Sequence, residues 1–225
     1  MSTKLKHIEK AQRITERVFD ELLKEVRAGR TERELARLIR TLAKRHGADG
    51  LSFDPIVAAG RSAADPHAKP GNRKLRRGQL LMIDLGVRSG GYCSDMTRMV
   101  AIGPPTAEAR KAYGIVLRAQ RAAIRAARAG MVARDLDAVA RGIIARAGYG
   151  KYFVHALGHG VGRNIHQDPR LTPKRRHRLK AGDVITVEPG IYLPGRLGVR
   201  IEDMLVLTAR GNRNLTGTPK RLRVL

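Results

Sequence analysis

The chain of 225 residues has no tryptophan, one cysteine and only 4% aromatic residues. With Cys93 alone, an intramolecular disulfide is excluded, and the usage accords with a reducing compartment, the cytoplasm. So few aromatics leave little with which to stack the bases of single-stranded nucleic acid. Long apolar runs are missing too, and the opening MSTKLKHIEKAQRITERVFDELL reads as an amphipathic helix rather than a signal peptide. No membrane partner is expected. Acidic residues are scarce: 20 Asp and Glu stand against 45 Lys and Arg, a formal net charge of +25. Such an excess predicts weak, salt-sensitive and non-specific binding to nucleic acid. The basic residues are dispersed, however, along segments such as RAQRAAIRAARAG and TPKRRHRLK. A strongly basic surface is therefore favoured over a dedicated nucleic-acid function.

No low-complexity linker interrupts the chain, whose length suits one large α/β or α+β domain. An internal duplication organises it. Arg27-Ala28-Gly29 and Arg33-Glu34-Leu35 are echoed by Arg128-Ala129-Gly130 and Arg134-Asp135-Leu136, and Gly47 by Gly148, at one constant offset. Helices are predicted at about 4–28, 31–46, 106–129 and 133–147. Thr31 with Glu34 forms a capping box, and Gly29, Gly47, Gly130 and Gly148 act as terminators. Strand-rich segments follow each helix pair, so two halves, about 1–103 and 104–225, are expected to pack about a pseudo-twofold axis.

The few acids are placed to matter. LRRGQLLMIDLGVRSGGYCSDMTRMV reads as two antiparallel strands joined at Ser89-Gly90-Gly91. A turn centred on Ser89-Gly90 sets Asp84 opposite Asp95, where like charges repel unless a cation lies between them. The second half repeats the pattern at a slightly larger offset: Leu75, Gly78, Asp84 and Gly86 match Leu179, Gly182, Glu188 and Gly190, and Asp95 matches Glu202. Folding the halves together would bring both carboxylate pairs to the midline.

Histidines join them. In FVHALGHGVG, His155 and His159 share the parity of one strand face, with glycines allowing close approach, and His166 follows. His67 lies in a Pro/Gly-rich loop. His7, His46 and His177 are read as ordinary core or surface residues.

IDLGVRSGGYCSDMTR, HALGHGVG, TVEPGIYLPG and GVRIEDMLVLT together resemble the pita-bread metallopeptidases, which include methionine aminopeptidase, Xaa-Pro aminopeptidase and Xaa-Pro dipeptidase. FDPIVAAG, PHA, VEPGIY and GVRIED look like the proline-peptidase branch, whose usual N-terminal domain is expected to be absent from a chain starting at residue 1. The resemblance implies an α+β pita-bread fold and a site for two divalent cations, Mn²⁺ first, with Co²⁺ or Zn²⁺ as alternatives. Five ligands are implied: Asp84, Asp95, His159, Glu188 and Glu202. An oxygen-rich set with one imidazole suits such hard or borderline ions. Glu188 is implied as both ligand and proton acceptor, His67 and His155 as contacts to substrate and oxyanion, and His166 as a substrate contact. Arg200 is expected to orient neighbouring carboxylates or a substrate terminus. The implied activity is removal of an N-terminal residue before proline from small peptides, by a monomer or homodimer. Methionine aminopeptidase-like activity, or a catalytically silent module binding peptides or nucleic acid, stand as alternatives.

Overall fold

Local chemistry opens and closes the helices. In the computed structural model, which describes residues 3–225, α1 (Thr3–Leu23) precedes α2 (Glu32–Arg45). The capping box forms: Thr31 Oγ1 accepts from the Glu34 N–H at 3.2 Å, and Glu34 Oε2 accepts from the Thr31 N–H at 2.8 Å. α1 ends well before residue 28. The N–H groups of Lys24, Glu25 and Val26 bond to carbonyls three residues back, which tightens and stops the helix. Gly29, at φ +90°, then turns the chain so that its N–H reaches the Leu75 carbonyl at 3.0 Å.

β1 (Gly50–Leu51), β2 (Ile56–Ala59), β3 (Gln79–Leu85), β4 (Val87–Ser89), β5 (Tyr92–Cys93) and β6 (Met96–Ile102) complete the first half. The second half contains α3 (Ala107–Ala126) and α4 (Ala133–Arg146), then β7 (Gly158–Gly160), β8 (Gln167–Leu171), β9 (Val184–Val187), β10 (Gly190–Leu193), β11 (Leu197–Arg200), β12 (Asp203–Leu207), β13 (Asn212–Asn214) and β14 (Arg223–Val224). One sheet has the order β14-β6-β3-β2, another β13-β12-β9-β7-β8. β1, β4 and β5 form a third, and β10 pairs with β11.

The duplication reappears bond by bond. Gly29 N–H to Leu75 O and Leu75 N–H to Arg30 O in the first half are matched by Gly130 N–H to Leu179 O and Leu179 N–H to Met131 O in the second. Gly78 N–H to Ile102 O is matched by Gly182 N–H to Leu207 O. As at α1, α3 stops before residue 129, because Ala129 and Gly130 give their N–H groups to Thr208 and Leu179.

β3 and β6 are apolar almost throughout because both faces are covered. Leu81, Ile83, Val100 and Ile102 pack with α1 and α2, whereas Leu80, Met82, Met99 and Ala101 join the cluster formed by α3, α4 and the second-half strands. Asp84 and Thr97 share the parity of the latter face, so the site opens there.

The hairpin register differs from expectation. Asp84 pairs with Thr97, and Ser89 with Tyr92, so the turn is centred on Gly90-Gly91 and Asp95 is staggered from Asp84 by two residues on the same face. Both turn glycines have positive φ, +58° and +75°, a conformation Ser89 would resist. In the second half the acids do face each other: Val187 pairs with Asp203 and Gly190 with Arg200, which places Glu188 opposite Glu202.

Candidate metal centre and substrate cavity

The edges of paired strands carry the acids. Asp84 lies in β3, Asp95 just before β6, Glu188 just after β9 and Glu202 just before β12, while β7 supplies His159. Asp84, Asp95, His159 and Glu202 are 7%, 4%, 6% and 1% exposed, and groups so buried require partners. Ligand atoms of Asp95, His159 and Glu202 lie within 4.8 Å of one another. His159 Nε2 is 3.2 Å from Glu188 Oε1 and 3.6 Å from Asp95 Oδ2.

Repulsion within this cluster is visible in its acidities. Burial pushes the Asp95 carboxyl well above the usual range, and the charges of Glu202, Asp84 and Glu188 push it further, against Arg200. Glu202 is likewise raised well above its ordinary value by burial, then by Glu188 and Asp84. Burial also raises Asp84, although Arg200 offsets part of the effect. For Glu188 the tendency of burial to raise it is outweighed by the hydrogen bond and charge of His159, with Arg200, which hold it at about 2.

A divalent cation fits these residues on two observations. Asp84 Oδ1 and Glu202 Oε1 are buried without a hydrogen-bond partner. His159 Nδ1 lies 3.1 Å from the Gly160 carbonyl, which can only accept, so Nδ1 carries the proton. Nε2 is then the atom facing the oxygens of Glu188 and Asp95: it donates to Glu188 in the cation-free site and, once its proton is lost, would offer a lone pair to a cation between the two acids.

Arg200 is the buried cation beside the cluster. It donates to Asp84 Oδ2 at 2.5 Å, Thr97 Oγ1 at 3.1 Å, the Pro66 carbonyl at 3.1 Å and Tyr192 Oη at 2.7 Å. Its guanidinium is committed to the protein, with Asp84 among its acceptors. The strand reading of His155 needs correction. It lies outside β7, so no shared strand face aligns it with His159. Nδ1 donates to the Ala156 carbonyl at 2.7 Å and Nε2 accepts from Tyr192 at 2.8 Å. Burial lowers its pKa, so the ring stays neutral and has no N–H left for an oxyanion. His67 and His166 are exposed. The His166 ring stands edge-on to His159 at 4.5 Å between centroids.

Tyr192, Thr97 and Thr186 were not anticipated. Tyr192 links Arg200 to His155. Thr97 donates to Glu202 Oε2 at 2.8 Å, and Thr186 donates to Glu188 Oε1 and accepts from the His159 N–H, both at 3.1 Å. Each threonine lies two residues from an acid along the chain, a parity that was available as a signal. The cluster floors a cavity of about 690 Å³, whose walls include His67, His155, His166, Arg170 and Phe53.

Comparison with known proteins agrees with this geometry. The family model of Metallopeptidase family M24 matches residues 6–209. A Xaa-Pro dipeptidase of Pyrococcus furiosus is 45% identical over 215 residues, which is 96% of this chain and 62% of that protein. The structure of an X-Pro aminopeptidase from Thermotoga maritima superposes with a TM-score of 0.97 at 41% identity, covering 99% of this chain and 63% of that one. A Xaa-Pro dipeptidase from Bacillus anthracis gives a TM-score of 0.98 at 38% identity, covering 100% and 63%. The chain thus spans about three fifths of the length of these relatives. The architecture is the α+β pita-bread fold, and by the match over residues 6–209 the chain belongs to metallopeptidase family M24.

Proposed function

We propose that this chain is a two-cation exopeptidase that removes the residue preceding an N-terminal proline bond, acting on small Xaa-Pro peptides. The observation that carries it is the convergence of Asp95, His159 and Glu202, with Asp84 and Glu188 beside them, on the floor of one cavity. Its likeness across nearly the whole chain to proteins named Xaa-Pro dipeptidase and X-Pro aminopeptidase supports the substrate class. Asp84 and Asp95 would hold one ion, and His159 and Glu188 the other, with Asp95 and Glu202 shared. Carboxylates with one imidazole favour Mn²⁺, and also accept Co²⁺ or Zn²⁺. When bound, such a cation pair supplies an acidified water and polarises the scissile carbonyl.

The protein's own groups do the rest. Glu188, which lines the same cavity, would accept the water's proton and then return it to the leaving proline nitrogen. Thr186 fixes the Glu188 carboxylate by donating to Oε1. Arg200 fixes Asp84, and through Tyr192 it locks His155 against the cavity wall. His67 and His166, with no ring-nitrogen hydrogen bonds among the described residues, are the imidazoles free to contact substrate. Cytoplasmic location accords with the single buried Cys93.

The test is hydrolysis by Mn²⁺-reconstituted protein of Ala-Pro, Ala-Pro-Ala-Ala and Met-Ala-Ser, with Asp95→Ala as control. Release of the first residue from the proline peptides, abolished in the variant, is expected. Cleavage of Met-Ala-Ser alone would select a methionine aminopeptidase instead, and unchanged turnover by Asp95→Ala would remove that residue from the cation site.

A further inference from the structure

The cavity does not stop at the acids. It extends to α2, where Arg33, Arg37 and Arg40 line it together with Lys69 from the His67 loop. Residues spaced by four and three share one face of a helix, so the three arginines form a ledge along the cavity wall. Arg40 is paired with Asp54 at 2.6 Å. The side chains of Arg33, Arg37 and Lys69 have no acidic partner among the described residues, and all three are exposed. The acids that line this cavity, apart from the paired Asp54, lie in the cluster on its floor. Its walls are therefore positive well away from the reacting bond.

We propose that this ledge is a binding site for carboxylates carried by the peptide beyond its proline, and that it selects substrates longer than a dipeptide with an acidic C-terminal portion. The inference rests on the Xaa-Pro exopeptidase reading. An enzyme that removes one N-terminal residue has a single residue to accommodate on the amino side, so further chain lies on the carboxyl side. A cavity of about 690 Å³ falls within the roughly 300–1,000 Å³ that hold drug-sized ligands, more than a Xaa-Pro dipeptide fills. An extended chain advances about 3.3–3.6 Å per residue, so residues that follow proline carry the chain away from the floor. Guanidinium groups there meet a carboxylate with charge-assisted hydrogen bonds, from either an Asp or Glu side chain or the terminal carboxyl.

The experiment measures kcat/KM of the Mn²⁺-loaded protein at low salt for Ala-Pro-Ala-Ala-amide, Ala-Pro-Glu-Glu-amide, Ala-Pro-Lys-Lys-amide and Ala-Pro-Ala-Ala with a free carboxyl. Calorimetric binding of the same set with a reduced, uncleavable Ala-Pro bond runs in parallel. At up to about 1 kcal/mol per exposed pair, the Glu peptide is expected to exceed the neutral amide by about 3- to 10-fold, and the Lys peptide to fall below it. Raising ionic strength to about 1 M, where the screening length is roughly 3 Å, should erase the difference. In Arg33→Ala/Arg37→Ala the Glu-to-neutral ratio should fall to about one, while in Arg110→Ala/Arg125→Ala, on α3 outside the cavity, it should persist. A preference for the free carboxyl over its amide, with Glu and Ala amides equal, would assign the ledge to chain termini rather than acidic side chains. Equal kcat/KM and equal affinity across the series would overturn the ledge while leaving the exopeptidase intact. Failure of every proline peptide to be cleaved would instead overturn the exopeptidase, and the calorimetric series would still decide the ledge.

Discussion

Replacing Asp95 with Asn should stabilise the cation-free protein while destroying its response to cations. Ligand oxygens of Asp95 and Glu202 come within 4.8 Å of one another, in a region where Asp95 is 4% exposed. Two unit charges at that separation repel by roughly 3.5 kcal/mol at an effective dielectric constant near 20. Partial protonation and the positive Arg200 reduce this, leaving about 1–2 kcal/mol for an uncharged, isosteric amide to recover. For a chain of this size that is a rise in Tm of about 2–8 °C in EDTA. The sign depends on pH. The folded Asp95 pKa is raised, by burial and then by Glu202, so this carboxyl's contribution to stability is fully present below the usual carboxylate range and is lost as pH rises through the folded value. The advantage of Asp95→Asn should therefore be small in acid and largest near neutrality. Adding Mn²⁺ should reverse the order, because only the wild type gains binding energy. Thermal unfolding of both proteins with EDTA and with Mn²⁺ is the assay. A variant whose Tm in EDTA falls below the wild type at neutral pH would refute the repulsion argument.

Substitutions at three further positions probe the supports. Glu32, 1% exposed, accepts from the Ala59 N–H at 2.8 Å, the Gly71 N–H at 3.0 Å and the Ser62 hydroxyl, and so ties α2 to the loop bearing His67; Glu32→Ala should cost about 2–3 kcal/mol in urea unfolding and raise KM, with Glu32→Gln milder in both. Tyr192→Phe breaks the link from Arg200 to His155 and should lower stability by about 1–3 kcal/mol and kcat by about tenfold, which steady-state kinetics would read. In Gly86→Ala a Cβ would meet the Ser94 carbonyl oxygen at 2.0 Å and Phe53 Cε1 at 2.9 Å, so the cost should be at least about 3 kcal/mol by the same unfolding measurement.

Much of the fold was legible because duplication and capping are written in residue types. Helix pairs recur after matching Arg-Ala-Gly segments, and the Thr31–Glu34 box needs only its own residues. Helix ends were less legible. α1 tightens into three-residue bonds after Leu23, and the segments ending at Gly29 and Gly130 bond to Leu75 and Leu179, partners distant in sequence that exist only in the folded chain. The hairpin register failed for a local reason: Gly90-Gly91 takes the turn and shifts Asp95 along its strand relative to Asp84. Acids at matching places in two half-chains could be collected from the sequence, since a costly buried charge is kept where a partner offsets it. The link between Arg200 and His155 could not, because it runs through Tyr192 reaching across from β10, a partner found only in three dimensions.

The account stands on a pair of cations held between the two halves. Anomalous difference maps from Mn²⁺-soaked crystals, collected at the manganese edge, test this most directly. Two peaks about 3.5–4 Å apart, bounded by Asp84, Asp95, His159, Glu188 and Glu202, are expected. No peak among these residues at saturating Mn²⁺, or peaks held by other side chains, would contradict it.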